Sequence, residues 1–411
     1  MTSEPERAFV WIWLPGASEP VVAGRLDPEG EVLTFTYGRS YLARADRVPL
    51  YLPELPLERG ALPPLAGELA GCIADGAPDA WGKRVILNRL TGRRADADVT
   101  DLTPLTYLLE SGSDRTGALD FQRSAVDYAP RSLDAATLAE LAESAELVER
   151  GLPLPPALDE ALLHGSSIGG ARPKARLRDG KRELIAKFSS TTDTYPVVKG
   201  EFLAMTLAQR AGIETAPVEL TKAMKKEVLL VDRFDRPGDG SRRAMVSALT
   251  ILGLDEIGGR YASYADLADM VRARFDDSTA TLRELFARIT FNVLCGNTDD
   301  HARNHAAFWD GTALALTPAY DICPGPRSGG EATQAMAIGR DGFRFSQVAG
   351  CVDRSSIYLL SKAEAREVVD HQIDVIETQW AEACDLAELT AVQRNGFWRR
   401  QFLNPFATEG Y

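Results

Sequence analysis

The stretch that most constrains this chain lies near its residue 295, where an apolar helical run, Leu282 to Leu294, gives way to Asn297-Thr-Asp-Asp-His-Ala-Arg-Asn304. An apolar helix has to be buried, and a dense polar loop has to stay near water, so this junction specifies a loop held on a rigid scaffold. The remaining pattern divides along the chain. Phe9 to Trp13 is aromatic and β-branched, and Val32 to Tyr37 alternates apolar with polar, so both read as strands, with Asp27-Pro28-Glu29-Gly30 as a turn signal between them. A proline-rich stretch from Pro49 to Pro64 follows, and Asp79 then stands as the N-cap of a helix over residues 79–87. Residues 132–150 are alanine- and glutamate-rich and read as helix, stopped by a linker at residues 151–156. Leu184 to Phe188 and Glu227 to Val231 are short strands, and Gly200 to Ala211 is a helix ended by Gly212. From Ser263 onward the pattern is mostly helical, apart from a hairpin of residues 306–308 and 313–316 joined by Asp310-Gly311. A β-rich front, a mixed middle and a helical rear make an α+β protein.

The polar loop carries the chemistry. Asp299 and Asn304 are five positions apart, the spacing at which a kinase catalytic loop sets the aspartate that accepts a hydroxyl proton and the asparagine that holds magnesium. Asp321 follows in an apolar frame, Ala319-Tyr-Asp-Ile322, and suits a second magnesium ligand, because that ion takes one or two carboxylates beside phosphate oxygens. Caps and turn residues are the plainer explanation of such a loop. A zinc site through His301 and His305 is a further reading, but no helix pattern surrounds the pair and no glutamate stands between them.

Upstream, Ser166-Ser-Ile-Gly-Gly-Ala-Arg-Pro-Lys174 combines paired glycines, hydroxyls and cations, as a phosphate cradle requires, although it is no Walker loop. Taken alone it reads more readily as a plain turn. Lys187 sits in an apolar strand, and Glu201 on the next helix is an available partner. A strand lysine with a helix glutamate is the arrangement that orients ATP phosphates in kinases. The order along the chain supplies the argument that single pieces lack: glycine-rich segment, strand lysine, helix glutamate, Asp-x4-Asn, then a further aspartate.

Charge and cysteines narrow the class. A net charge of -13 is unlike a protein that lives by non-specific phosphate contacts, so direct nucleic-acid binding is not expected. The basic runs Lys222 to Lys226 and Arg399-Arg400 read as solvated faces. Five cysteines, widely spaced and without a CxxC pair, fit a reducing compartment. The acidic first residues are no signal peptide, and no run approaches the ~20 apolar residues of a membrane span. The expectation is a cytoplasmic protein without a membrane partner.

Together these residues resemble the HipA family of kinases from bacterial toxin–antitoxin modules. The matching pieces are Ser167 to Lys174, Ala186-Lys-Phe188, Lys199-Gly-Glu-Phe202, Val231-Asp-Arg-Phe-Asp-Arg236, Asn297 to Asn304 and Pro318-Ala-Tyr-Asp321. Tyr41 to Leu50 and Ile73 to Gly82 add a likeness to the family's N-terminal domain. The resemblance implies a protein-kinase-like bilobal fold. Residues 1–130 would form an N-terminal β-rich subdomain, 131–238 a kinase N-lobe with the glycine-rich loop, and 239–411 a mostly helical C-lobe with the catalytic loop. It implies Asp299 as catalytic base, with Lys187 on the ATP phosphates and Glu201 its partner. Asn304 and Asp321 would hold Mg2+. Gly169, Gly170, Ala171 and Lys174 would line the nucleotide, with Val231, Arg233 and Phe234 as adenine hinge and Asp235 near the ribose. Ser167 matches a serine that family members autophosphorylate. Arg172 stands where glutamine is expected, and Arg303 where lysine is common. Family members phosphorylate aminoacyl-tRNA synthetases and are restrained by a DNA-binding HipB-type antitoxin, which makes both expected partners. A silent binding or repressor module and a small-molecule kinase are the alternatives. Loss of Lys187, Asp299, Asn304 or Asp321 would mark the first, and all four are present.

Overall fold

The computed structural model describes residues 5–91, 98–131, 137–149, 173–190, 193–327 and 330–411. The chain forms two compact units, one of residues 1–191, 222–246 and 308–312, the other of residues 192–221, 247–307 and 313–411.

The first unit begins with an antiparallel sheet in the order Ala61–Leu62, Val32–Tyr37, Val21–Glu29, Ala8–Ile12, Leu119–Gln122. The expected turn at residues 27–30 is displaced. The second strand runs through Pro28 to Glu29, and the chain reverses at Gly30, whose φ is 64°. Proline is tolerated there because its register partner Leu33 donates its N–H to the Glu68 carbonyl instead (2.8 Å).

A second antiparallel set in this unit centres on Arg182–Phe188, paired with Lys174–Asp179 on one side and Lys226–Asp232 on the other. Leu184, Ala186 and Phe188 alternate onto one face and join Trp81, Val85, Leu141, Ala145, Val228 and Leu230 in a core. Burying a side chain such as Phe188 or Leu184 stabilises by about 1.5–3 kcal/mol. The two-residue period of a strand therefore turns Ile185 and Lys187 to the other face. The helices Ala80–Thr91 and Leu138–Glu149 complete the core, the first of them capped as expected by Asp79, whose Oδ1 accepts from the Gly82 N–H (2.8 Å).

The second unit is helical. Ser263 caps the helix Tyr264–Arg274, Asp277 caps Ser278–Cys295, and Ser361 with Glu364 forms a capping box on Lys362–Leu386. Ser278–Cys295 packs against both of the others, and Val197–Arg210 lies on Lys362–Leu386. At the end of Ser278–Cys295 stands Gly296, with φ 75° and the Gln401 carbonyl 2.8 Å from where a Cβ would be. A side chain there meets both a left-handed backbone and a steric clash, so glycine fixes where the helix stops and the polar loop begins.

Candidate active site

The loop after Gly296 holds two adjacent aspartates with opposite environments. Asp299 is exposed, whereas Asp300 is buried at 2% exposure. Three groups converge on Oδ2 of Asp300: the Tyr264 hydroxyl donates at 2.5 Å, the Asn292 amide donates at 2.8 Å, and His305 Nε2 lies at 2.9 Å. Burial works against ionising Asp300, but the His305 ring beside it and hydrogen bonds from His305 and Tyr264 outweigh that cost and hold the carboxyl below its ordinary range. Burial, with the Asp300 charge, pushes the Tyr264 hydroxyl well above its ordinary value, keeping it a donor. Asp300 is thus an anchor for the loop, with His305 Nε2 as one of its braces.

Further braces hold the same loop. Asn297 donates to Asn292 Oδ1 (3.0 Å), and Gln334 Nε2 donates to the Asn297 carbonyl (3.0 Å). The Ala335 N–H donates to the Thr298 carbonyl (3.0 Å), and the Gly325 N–H to that of Gly296 (3.0 Å). Asn304, five residues beyond Asp299, directs its Nδ2 to the Asp299 carbonyl (3.3 Å). Its amide oxygen is therefore the atom that can face a cation.

Asp321 lies in the same unit, shortly after the strand Leu314–Leu316. Buried Arg288 donates to the Thr317 carbonyl (2.9 Å), and the Ala319 N–H donates to the Glu214 carbonyl (2.7 Å), which fix the approach. Asp321 itself has φ 59°, a left-handed conformation that a non-glycine residue adopts only where its surroundings impose it. Its carbonyl accepts from Asn297 Nδ2 at 3.5 Å, linking the two loops. An amide oxygen and a carboxylate are hard donors that suit magnesium, which completes its shell with phosphate oxygens and water.

In the first unit, Lys187 is half-buried on Arg182–Phe188, directly opposite Lys174 in register. Lys174 is 2% exposed, and its ammonium donates to Asp79 Oδ2 at 3.1 Å. Val231 pairs with Ile185, and the Phe234 ring meets Phe308 edge-on at 5.9 Å. Arg233 and Asp235 are 6% and 4% exposed and bind each other through two bonds of 3.0 and 2.8 Å. Arg236 also donates to Asp235 Oδ2 (2.8 Å), as does the Gly117 N–H (2.9 Å), and both arginines contact Asp114. Burial lowers Arg236 to about 9, and its two arginine and aspartate neighbours, Arg233 and Asp235, pull in opposite directions. The Arg233 and Asp235 side chains are thus engaged in an ionic cluster with residues 114–117, which lie more than a hundred positions upstream and carry no local signal of it. Glu201 lies on Val197–Arg210 in the second unit, 4% exposed. Ser167, Gly169, Gly170 and Ala171 lie outside the described residues.

Tyr264, Gln334 and Asp114 escaped the sequence reading and carry no local signal. Asn292 did carry one, as a polar residue inside an otherwise apolar helix.

Comparison with known proteins identifies the family and the fold. The profile of the HipA-like C-terminal domain matches residues 166–380, and that of the HipA N-terminal domain matches residues 16–122. The serine/threonine-protein kinase toxin HipA of Shewanella oneidensis is 26% identical over 183 residues, which cover 38% of this chain and 42% of that relative. The aligned region is therefore less than half the length of that relative. Among solved structures, the complex of HipA, HipB and operator DNA from Shewanella oneidensis MR-1 contains a chain that superposes with a TM-score of 0.70 at 19% identity, covering 97% of this chain and 99% of that one. The chain belongs to the HipA family and has its α+β fold.

Proposed function

We propose that this HipA-family chain is an ATP- and magnesium-dependent serine/threonine-protein kinase. The observation that carries the reading is the division of labour in the catalytic loop. Asp300 is buried and triply bonded, which leaves its exposed neighbour Asp299 as the carboxylate able to meet a substrate hydroxyl. Asp299 accepts the hydroxyl proton as the oxygen attacks, and the braced loop supplies the positioning on which phosphoryl transfer depends. Asn304 and Asp321 are the magnesium ligands. When bound, that ion neutralises charge on the transferring phosphoryl group. Lys187 contacts the ATP phosphates, and Glu201 supplies the carboxylate of the strand-lysine, helix-glutamate arrangement. Gly169, Gly170, Ala171 and Lys174 belong to the phosphate-binding segment. Val231 to Phe234 serve as the adenine hinge with Asp235 near the ribose, although the Arg233 and Asp235 side chains bind each other.

The substrate is a protein of the translation apparatus such as an aminoacyl-tRNA synthetase, Ser167 is a site of autophosphorylation, and a HipB-type protein is the partner. These three rest on family membership. Intact-mass spectrometry after incubation with ATP and magnesium tests the core of the reading. A phosphate-sized gain is expected in the wild type, absent in Asp299→Ala and displaced from its site in Ser167→Ala. Phosphatase-treated wild-type protein that neither gains mass nor consumes ATP would sink it in favour of a binding module.

A further inference from the structure

The ion pair between Lys174 and Asp79 joins two parts of the chain 95 positions apart. Asp79 lies within the region matching the HipA N-terminal domain, and Lys174 within that matching the C-terminal domain. We propose that Asp79 is a positioning residue for nucleotide binding, through which the N-terminal domain holds Lys174 in place beside Lys187. This rests on the kinase reading above.

The argument begins with the register. Lys174 and Lys187 stand directly opposite on antiparallel strands, so their side chains leave the sheet on the same face. Like charges at opposed positions repel, and burial adds to the cost of an ammonium that is 2% exposed. A counter-charge offsets this repulsion where a polyphosphate would bind, and Asp79 Oδ2 supplies it at 3.1 Å. Its other oxygen, Oδ1, accepts from the Gly82 N–H at 2.8 Å. The carboxylate is thereby fixed to the first turn of the helix Ala80–Thr91 and cannot swing away. Trp81 and Val85, on that same helix, pack in the core that holds the lysine-bearing strands. Helix, carboxylate and lysine therefore form one rigid assembly. An ammonium has three N–H donors, so a bond to Asp79 is compatible with a phosphate contact by the same group. Without the Asp79 carboxylate, Lys174 loses the contact that ties it to the helix Ala80–Thr91.

The two functions of Asp79 can be separated by choice of variant. Asparagine caps a helix as well as aspartate does, so Asp79→Asn keeps the cap and removes the charge. ADP production at varied ATP concentration is the measurement. Loss of one charge-assisted contact should raise KM for ATP by about five- to tenfold, with kcat within about twofold, while the melting temperature falls because a buried ammonium loses its counter-charge. Lys174→Met should raise KM similarly, and adding Asp79→Asn to it should give no further rise, because the carboxylate acts through that lysine. Should Asp79→Asn fail to fold, Lys174→Met, which leaves the cap untouched, must still show the rise. An Asp79→Asn enzyme with unchanged or lowered KM, or rises that multiply in the double variant, overturns the proposal. Wild-type protein that makes no ADP overturns the kinase reading instead.

Discussion

Replacing each of the adjacent aspartates by alanine should separate catalysis from stability. Asp300→Ala removes the acceptor of three buried donors, the Tyr264 hydroxyl, the Asn292 amide and His305 Nε2. A buried donor left without a partner costs about 1–3 kcal/mol, and breaking a buried charged pair by deleting one side costs about 3–5 kcal/mol in total. The larger figure already contains the individual losses, so about 3–5 kcal/mol is the expected destabilisation of the second unit. At roughly 2–4 °C per kcal/mol for a unit of this size, the melting point should fall by about 6–20 °C. Asp299→Ala removes an exposed side chain and should change stability by no more than about 0.5 kcal/mol, while abolishing phosphoryl transfer. Thermal melts followed by near-ultraviolet dichroism, read beside mass gain with ATP, measure both properties on the same preparations. If the two variants melt together, or Asp300→Ala keeps the wild-type melting point, the buried-anchor argument is wrong and the assignment of Asp299 as base loses its structural support.

The ionic cluster of the first unit offers a second test. Asp235→Ala strands Arg233 and Arg236 with Asp114 as their remaining shared carboxylate, and urea unfolding should show a loss of about 3–5 kcal/mol in the transition of that unit. Acid should act on both units. Asp120, Asp235 and Asp300 are all held below the ordinary carboxylate range despite burial, the first two by arginines. Their stabilising contribution is complete above the unfolded value of about 3.9 and is lost as pH falls through the depressed folded values. Asp79 and Glu54, raised by burial, act in the opposite sense and soften the fall. Melting temperature should hold from neutrality to about pH 5 and drop steeply below about pH 4, with a shallower acid limb in Asp300→Asn.

Local pattern made most of the fold legible. The strands Ala8–Ile12 and Val32–Tyr37, the cap at Asp79 and the helix Ser278–Cys295 each follow from periodicity and end signals within a dozen residues. Pro28 misled because proline normally marks a turn, and its tolerance in a strand depends on a distant acceptor, Glu68, for the N–H of its neighbour. The catalytic loop was legible in composition and spacing but not in burial. Nothing in Asp299-Asp300 says which carboxylate faces water, since that is decided by Tyr264, 36 positions upstream, and by Asn292 within the helix.

The same limit explains the motif Val231 to Arg236. Read as a string, alternating acids and bases after a strand look like ligands for something outside the protein. In the structure they neutralise one another and Asp114, because Arg233, Asp235 and Arg236 are all nearly inaccessible, and a buried guanidinium needs a carboxylate within reach. A charged motif thus has two destinations, a ligand or a distant partner in the chain, and sequence alone cannot rank them. Burial does rank them. By that criterion Asp299 faces outward, as its proposed role as base requires, Asp300, Arg233 and Asp235 face inward, and Lys174 is the exception that decides where to experiment. It is buried and paired, like the inward-facing group, yet it closes the proposed phosphate-binding segment and stands opposite Lys187. A residue with both properties is where fold and catalysis are coupled, and its partner Asp79 is the position at which that coupling can be cut without removing a nucleotide contact.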